Sequence, residues 1–278
     1  MPSLRPTAPR LPRCPPPATS VEATSLPDGR RAGPPAVGQP PDAPASRARQ
    51  PNDLAQYDDL AAHWWAPRGA FAMLQWIAAA RGALIPSATR PGAVLVDLGC
   101  GAGLVAPHVA GKGYRHVGVD LTVSALAQAA AHGVAPVRGD VLAVPLRDDC
   151  ADVVVAGEIL EHVPDLARAV REACRLLRPG GLLVLDTLAA TRLGRLLGVR
   201  LAERLPGGPP PGIHDPALFV NRAELVRECA RYGVDLRLRG IRPSVLDMLL
   251  WRAGRRSAVR MVRVPTTAVL FQGAGRRR

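Results

Sequence analysis

The spacing of apolar residues changes several times along the chain, and each change marks an element. Over residues 53–66 lie Tyr57, Leu60, Trp64 and Trp65. Phe71, Leu74, Trp76 and Ile77 follow at helix-like spacing. Three of the four tryptophans fall in this stretch, which reads either as ordinary helix packing or as an aromatic lid over an apolar ligand. From Val94 short apolar runs alternate with helical ones. Strands are predicted over 94–98, 116–120, 134–138, 152–156 and 181–187, and helices over 103–111, 122–131 and 165–177. That alternation predicts an α/β fold: a doubly wound, mostly parallel sheet with helices on both faces. A helix over 221–232, a strand near 235–240 and a last strand near 262–271 complete seven strands, the final ones forming an antiparallel edge.

Residues 1–51 hold 14 of the 29 prolines and have no apolar periodicity. Pro15-Pro16-Pro17 and Pro34-Pro35 cannot continue a helix or a ladder, so a disordered Pro/Arg-rich extension is expected. Residues 52–278 are expected to form the folded domain, with a helical lid over 52–90 and a covering insertion over 188–220. The net charge of +13 sits mostly at the two ends: +4 over residues 1–51, +7 over 245–278 and only +2 between. With aromatics at 4%, that distribution argues against a nucleic-acid-binding face. Five cysteines, an odd number without a C-x-x-C pair, fit neither a disulfide framework nor a zinc site. A reducing cytoplasm is the expectation.

The densest chemistry lies in Asp97-Leu-Gly-Cys-Gly-Ala-Gly103, directly after a predicted strand. Gly99, Gly101 and Gly103 let the main chain turn tightly and approach a ligand, while Asp97 puts a carboxylate at the mouth of the turn. The pattern differs from the dinucleotide fingerprint, whose helix N-terminus receives a pyrophosphate; an acid here suits an amine-bearing ligand instead. The second predicted strand ends at Asp120, in reach of ribose hydroxyls, and the third at Asp140, placed to meet an adenine amino group. Either acid alone is an ordinary cap or turn former. Three acids at three successive strand ends beside a glycine turn are a constellation.

These residues resemble the cofactor site of class I S-adenosylmethionine-dependent methyltransferases. The resemblance implies that the glycine turn packs against the methionine part, with Asp97 at its amino end, Asp120 at the ribose and Asp140 at the adenine. Gly157, closing the fourth strand, belongs to the same implied set. Leu176-Leu-Arg-Pro-Gly-Gly181 is also typical of that superfamily. Trp64-Trp65, Glu158-Ile-Leu-Glu-His-Val-Pro-Asp165, Asp186-Thr-Leu188, Gly212-Ile-His-Asp215, Phe219 and Glu224-Leu225 resemble the ubiquinone-biosynthesis O-methyltransferases. That family methylates hydroxyls on a polyprenylated phenol or catechol. Its arginine 16 residues after the second tryptophan contacts the cofactor carboxylate, which implies that role for Arg81. The chain departs from the family at Ala189-Ala190, where Asn-Arg is common, and at Gln75, where a histidine is usual.

Glu158, Glu161 and His162 are spaced i, i+3 and i+4, one face of a short helix. They read as a Mg²⁺ site, or place His162 as the general base, or are loop caps with His162 lining the pocket. Eukaryotic members of the resembling family are thought to use this motif for a divalent metal, although Mg²⁺ prefers oxygen ligands. His162 has an ordinary pKa near neutrality, which suits proton removal. His214 is a second base candidate, with Asp215 orienting it or capping the next helix. His63, His108, His116 and His132 have no partner pattern. Residues 188–205 mix leucines at helical spacing with four arginines, which reads as a lid helix or as a basic amphipathic helix on an anionic membrane surface. The expected function is methylation of a phenolic hydroxyl on a small prenylated quinone precursor. Competing expectations are O- or N-methylation of a soluble secondary metabolite, and a cofactor-binding scaffold without catalysis.

Overall fold

The computed structural model describes residues 51–201 and 207–278. The extension expected over 1–51 lies, except for Pro51, outside them. Eight strands form one sheet: β1 (Ala93–Leu98), β2 (Tyr114–Asp120), β3 (Ala135–Arg138), β4 (Ala151–Gly157), β5 (Leu177–Leu188), β6 (Arg237–Pro243), β7 (Met261–Val264) and β8 (Leu270–Arg276). Their order is β3-β2-β1-β4-β5-β8-β6-β7. The first five pair in parallel; β8, β6 and β7 add antiparallel pairs. The expected seven strands are therefore eight. The run read as one strand near 262–271 divides into β7 and β8, because the chain turns between Val264 and Leu270 and returns along β5.

Alternation along the central strands explains the burial of both faces. Val94 and Val96 of β1, with Val154 and Ala156 of β4, join the larger core. Leu95 of β1, with Val153 and Val155 of β4, face the opposite way into a second cluster with Ile85, Val105 and Val109. Period two with apolar residues at both phases is what a strand covered on both sides requires.

Helices cover the faces: α1 (Ala55–Asp59), α2 (Ala72–Gly82), α3 (Ala106–Val109), α4 (Val123–Ala131), α5 (Leu166–Leu176), α6 (Arg192–Arg195), α7 (Arg222–Arg231) and α8 (Val245–Arg252). The Asp165 side chain starts α5 by accepting from the Arg168 amide at 2.9 Å. Val170, Ala173 and Cys174 of α5 then pack with Leu225 and Cys229 of α7 in the larger core. The helix expected over 103–111 is only the single turn α3; tight turns occupy the residues before it. The helix expected over 188–205 is also broken. β5 runs to Leu188, α6 follows, and a wider-wound turn covers Leu196–Leu201. Residues 202–206 lie outside the described residues. Helix α8 had no counterpart in the sequence reading. Among the described residues no helix is long and apolar enough to cross a membrane.

The order of strands reverses at β1 and β4, so a crevice opens beyond their carboxyl ends. The fold rests on the packing beneath it. Leu225 is fully buried in the larger core, so Leu225→Ala is expected to lower unfolding free energy by about 2–5 kcal/mol. Urea denaturation checks this; a midpoint equal to that of the parent chain would contradict it.

Candidate active site

A cleft of about 900 Å³ occupies that crevice, and its wall is mostly apolar. Asp97, Gly99, Gly101, Asp120 and Asp140 all line it. β1 carries Asp97 to the floor, where it is buried and its Oδ2 lies 3.4 Å from His116 Nε2. His116, read as partnerless, is thus a neighbour of Asp97 from β2. Gly101 holds φ +51, and a Cβ on it would stand 2.8 Å from the Trp64 ring. Only a bare backbone fits between the turn and that indole. Gly99 also has positive φ. Gly103 has positive φ but is off the cleft wall; it lets the turn pack on Ala129 and Val134.

Asp120 accepts from the Gly101 amide at 2.8 Å through one oxygen and from the Thr122 amide at 2.8 Å through the other. Each oxygen keeps a second lone pair, so the carboxylate still has acceptor capacity toward the cleft. Burial pushes its pKa up, against the pull of those amides. Asp140 is exposed at the cleft edge, and its Oδ1 accepts from the Leu142 amide at 2.8 Å.

Arg81 of α2 is buried and meets Asp186 of β5 with two parallel bonds, Nε to Oδ2 and Nη2 to Oδ1, each 2.7 Å. Neither bond uses Nη1. The guanidinium lies across Gly157, where a Cβ would fall 1.8 Å from Cζ. The Gly157 position is therefore room for Arg81, and both residues line the cleft. The Asp186 charge raises the Arg81 pKa further, against the desolvation of the buried guanidinium.

Glu158, Glu161 and His162 do not share a helical face. Glu158 takes φ +51, a left-handed conformation that breaks the phase before a single 3-10 turn, Leu160–His162. The structure instead brings together Glu161, His162 and His214, whose ligating atoms lie within 4.8 Å of one another. Glu158 is outside this group and His214 takes its place. One carboxylate and two imidazoles do not match the oxygen shell that Mg²⁺ prefers. The residues present therefore do not fit the expected Mg²⁺ site.

Glu161 is fully buried; its Oε2 accepts from the Thr187 hydroxyl at 2.7 Å, and its Oε1 has no partner. Burial, first, drives its pKa up to about 7. Burial and the neighbouring Glu161 charge drive the Glu158 carboxyl well up as well. The His162 and His214 rings stack, centroids 5.2 Å apart. His162 is hemmed in by Asn52, Tyr57 and His214, and that desolvation lowers its pKa to about 4. His214 is lowered to about 3 by burial and then by His162. Near neutral pH both imidazoles are uncharged, so the ordinary value expected for His162 does not hold. Asp215 neither orients His214 nor caps a helix. Its Oδ1 accepts from the Ala217 amide at 2.9 Å in a local turn, and Asn221 caps α7.

The aromatic N-terminal segment forms one wall. Trp64 stacks on Phe71 at 4.2 Å, and Tyr57 meets His162 edge-on. Gln75, standing where the family has histidine, donates to the Trp64 and Ala66 carbonyls at 2.9 and 3.1 Å and ties this segment to α2. Three functional candidates were missed by sequence reading: Asn52, Tyr57 as a neighbour of His162, and Asp186 as the partner of Arg81. Only the Asp-Thr-Leu motif hinted at Asp186.

A glycine turn on the cleft wall, acids at three strand ends and a deep apolar cleft together fit a nucleoside with a charged amino-acid tail. Comparison with known proteins agrees. Residues 96–185 match a family described as a methyltransferase domain. A ubiquinone biosynthesis O-methyltransferase of Leptothrix cholodnii is 32% identical over 221 residues, 72% of this chain and 90% of the relative. That of Thiobacillus denitrificans is 35% identical over 191 residues, 66% of this chain and 82% of the relative. A solved S-adenosylmethionine-dependent methyltransferase of Thermotoga maritima, titled a possible histamine N-methyltransferase, superposes with a TM-score of 0.57 at 19% identity. It covers 80% of this chain and 97% of its own, and it supports the fold alone. The chain belongs to the class I S-adenosylmethionine-dependent methyltransferases, within the family of the ubiquinone biosynthesis O-methyltransferases.

Proposed function

We propose that this methyltransferase transfers its methyl group to a phenol or catechol hydroxyl on a ring bearing an apolar tail, a quinone precursor. The observation that carries this reading is the placement of His162, enclosed by Asn52, Tyr57 and His214, in an apolar cleft that also holds the glycine turn and the strand-end acids. S-adenosylmethionine, when bound, supplies an electrophilic methyl on a sulfonium. This chain's residues bind, orient and take a proton. Asp97 and Arg81 hold the two ends of the amino-acid portion, and Asp120 and Asp140 hold the nucleoside. Gly99 and Gly101 let the turn take positive φ and make room for Ile159 and Trp64 on the cleft wall, and Gly157 makes room for Arg81.

His162 accepts the phenolic proton as general base, with His214 stacked behind it. Its lowered pKa keeps the imidazole unprotonated well below neutral pH but makes it a weaker base, so holding the hydroxyl in line carries more of the step. Glu161, with a pKa near neutrality and one lone oxygen, is able to receive or return a proton beside the two rings. The aromatic segment from Asn52 onward serves as the lid, and the described residues 188–198 and 207–220 cover the acceptor. The exposed Leu193 and Leu196, beside Arg192 and Arg195, suit contact with an anionic membrane surface from which a prenylated acceptor is drawn. The free thiols of Cys100, Cys174 and Cys229 suit a reducing compartment such as the cytoplasm.

Labelled S-adenosylmethionine offered with a panel of catechols, alkylated and polar, tests the acceptor class. Transfer to alkylated catechols is expected to dominate; label found only in polar amines or polar phenols would refute it. His162→Ala is expected to lower kcat by about 10²–10⁴-fold while calorimetric affinity for S-adenosylhomocysteine stays within about twofold. Full activity in that variant would remove the general base from the mechanism. Gly157→Ala forces the Arg81 guanidinium away, so cofactor affinity is expected to fall at least about tenfold. An unchanged dissociation constant would show that Arg81 does not hold the cofactor.

A further inference from the structure

Asn52 grips His162 at two atoms. Its Nδ2 donates to the His162 carbonyl oxygen at 2.9 Å, and its Oδ1 lies 2.7 Å from His162 Nδ1. The pairing fixes the orientation of the amide. A carbonyl oxygen only accepts, so the amide nitrogen must face it and the amide oxygen must face Nδ1. Oδ1 in turn only accepts, so Nδ1 must carry the proton. A neutral imidazole has one ring proton, and Nε2 is left with the lone pair. Nε2 faces the Tyr57 hydroxyl at 3.5 Å, and Tyr57 and His162 both line the cleft.

The main chain of Asn52 reaches the other histidine-bearing segment. Its amide donates to the Gly212 carbonyl at 3.3 Å, two residues before His214, and the Gln56 side chain donates to the same oxygen at 3.3 Å. Asn52 itself has φ +66, a left-handed conformation that asparagine tolerates better than most residues.

We propose that Asn52 is a positioning residue that sets the tautomer of His162, so that the Nε2 lone pair is presented to the acceptor hydroxyl. The inference rests on the reading of His162 as general base, and it is tested separately from that reading. In the full chain labelled with ¹⁵N, two-bond proton–nitrogen spectra report which ring nitrogen of His162 bears hydrogen. The unaltered protein is expected to show the proton on Nδ1. Asn52→Gly removes the side chain while keeping positive φ accessible, and is expected to move the proton largely to Nε2. With a hexyl-substituted catechol as acceptor, kcat is expected to fall about 10–100-fold and KM for S-adenosylmethionine to stay within about twofold. Asn52→Asp keeps the acceptor oxygen, and is expected to restore the Nδ1 proton and kcat to within about tenfold of the parent. A proton on Nε2 in the parent, an unchanged tautomer in Asn52→Gly, or an Asn52→Asp variant no better than Asn52→Gly would overturn the proposal. Full kcat in His162→Gln alongside the expected tautomer shift would overturn the base reading and leave the tautomer assignment standing.

Discussion

The ion pair between Arg81 and Asp186 organises the cleft. It joins α2 to β5 across β4, and it is buried on both sides. A buried bidentate pair gains little net stability over an apolar substitute, but removing one partner costs about 3–5 kcal/mol because the other charge is stranded. Its value lies in geometry. Asp186 uses its carboxylate on Arg81 and its main-chain carbonyl on the Glu158 amide, 2.9 Å away. That amide belongs to the residue whose left-handed turn ends β4 and sends the chain toward Glu161 and His162. One aspartate thus sets Arg81 and the start of the loop that bears His162.

A second constraint is the desolvation of the two histidines and the carboxyl groups beside them. The two stacked imidazoles are neutral because burial penalises their cationic forms, and the carboxyl groups nearby are pushed toward their neutral forms for the same reason. The side at the strand ends is built differently. There the acids are supported by backbone amides, as at Asp120, or by a histidine neighbour, as at Asp97. One cleft therefore has a polar, amide-lined half and an apolar, aromatic half. That division suits a charged nucleoside and an apolar ring meeting at their common border.

Much of this arrangement was legible before the structure. The turn from Asp97 to Gly103 is written in residue types because the backbone there needs positive φ, and the alternating apolar strands are written in their period. The parallel core of the sheet, and the placement of Asp97, Asp120 and Asp140 at its carboxyl edge, followed from those local rules. What stayed hidden depends on contacts between distant residues. Arg81 and Asp186 are 105 positions apart, Asn52 and His162 are 110 apart, and no local pattern links them. The error over Glu158 was local: an i, i+3, i+4 spacing promises a shared face only if the backbone is helical, and one left-handed residue cancelled that condition. The extra strand was missed although Pro265-Thr266-Thr267 marks the turn between β7 and β8: the apolar runs on either side were joined into one.

The indole of Trp64 rests against the bare backbone of Gly101, and of the four tryptophans it alone lines the cleft. Trp76 and Trp251 are instead packed edge to face with each other, and Trp65 is stacked on His132. The chain consequently carries its own optical probe at the glycine turn. Arrival of a nucleoside changes the surroundings of one chromophore and spares three, so emission from the unlabelled protein can follow occupancy in real time.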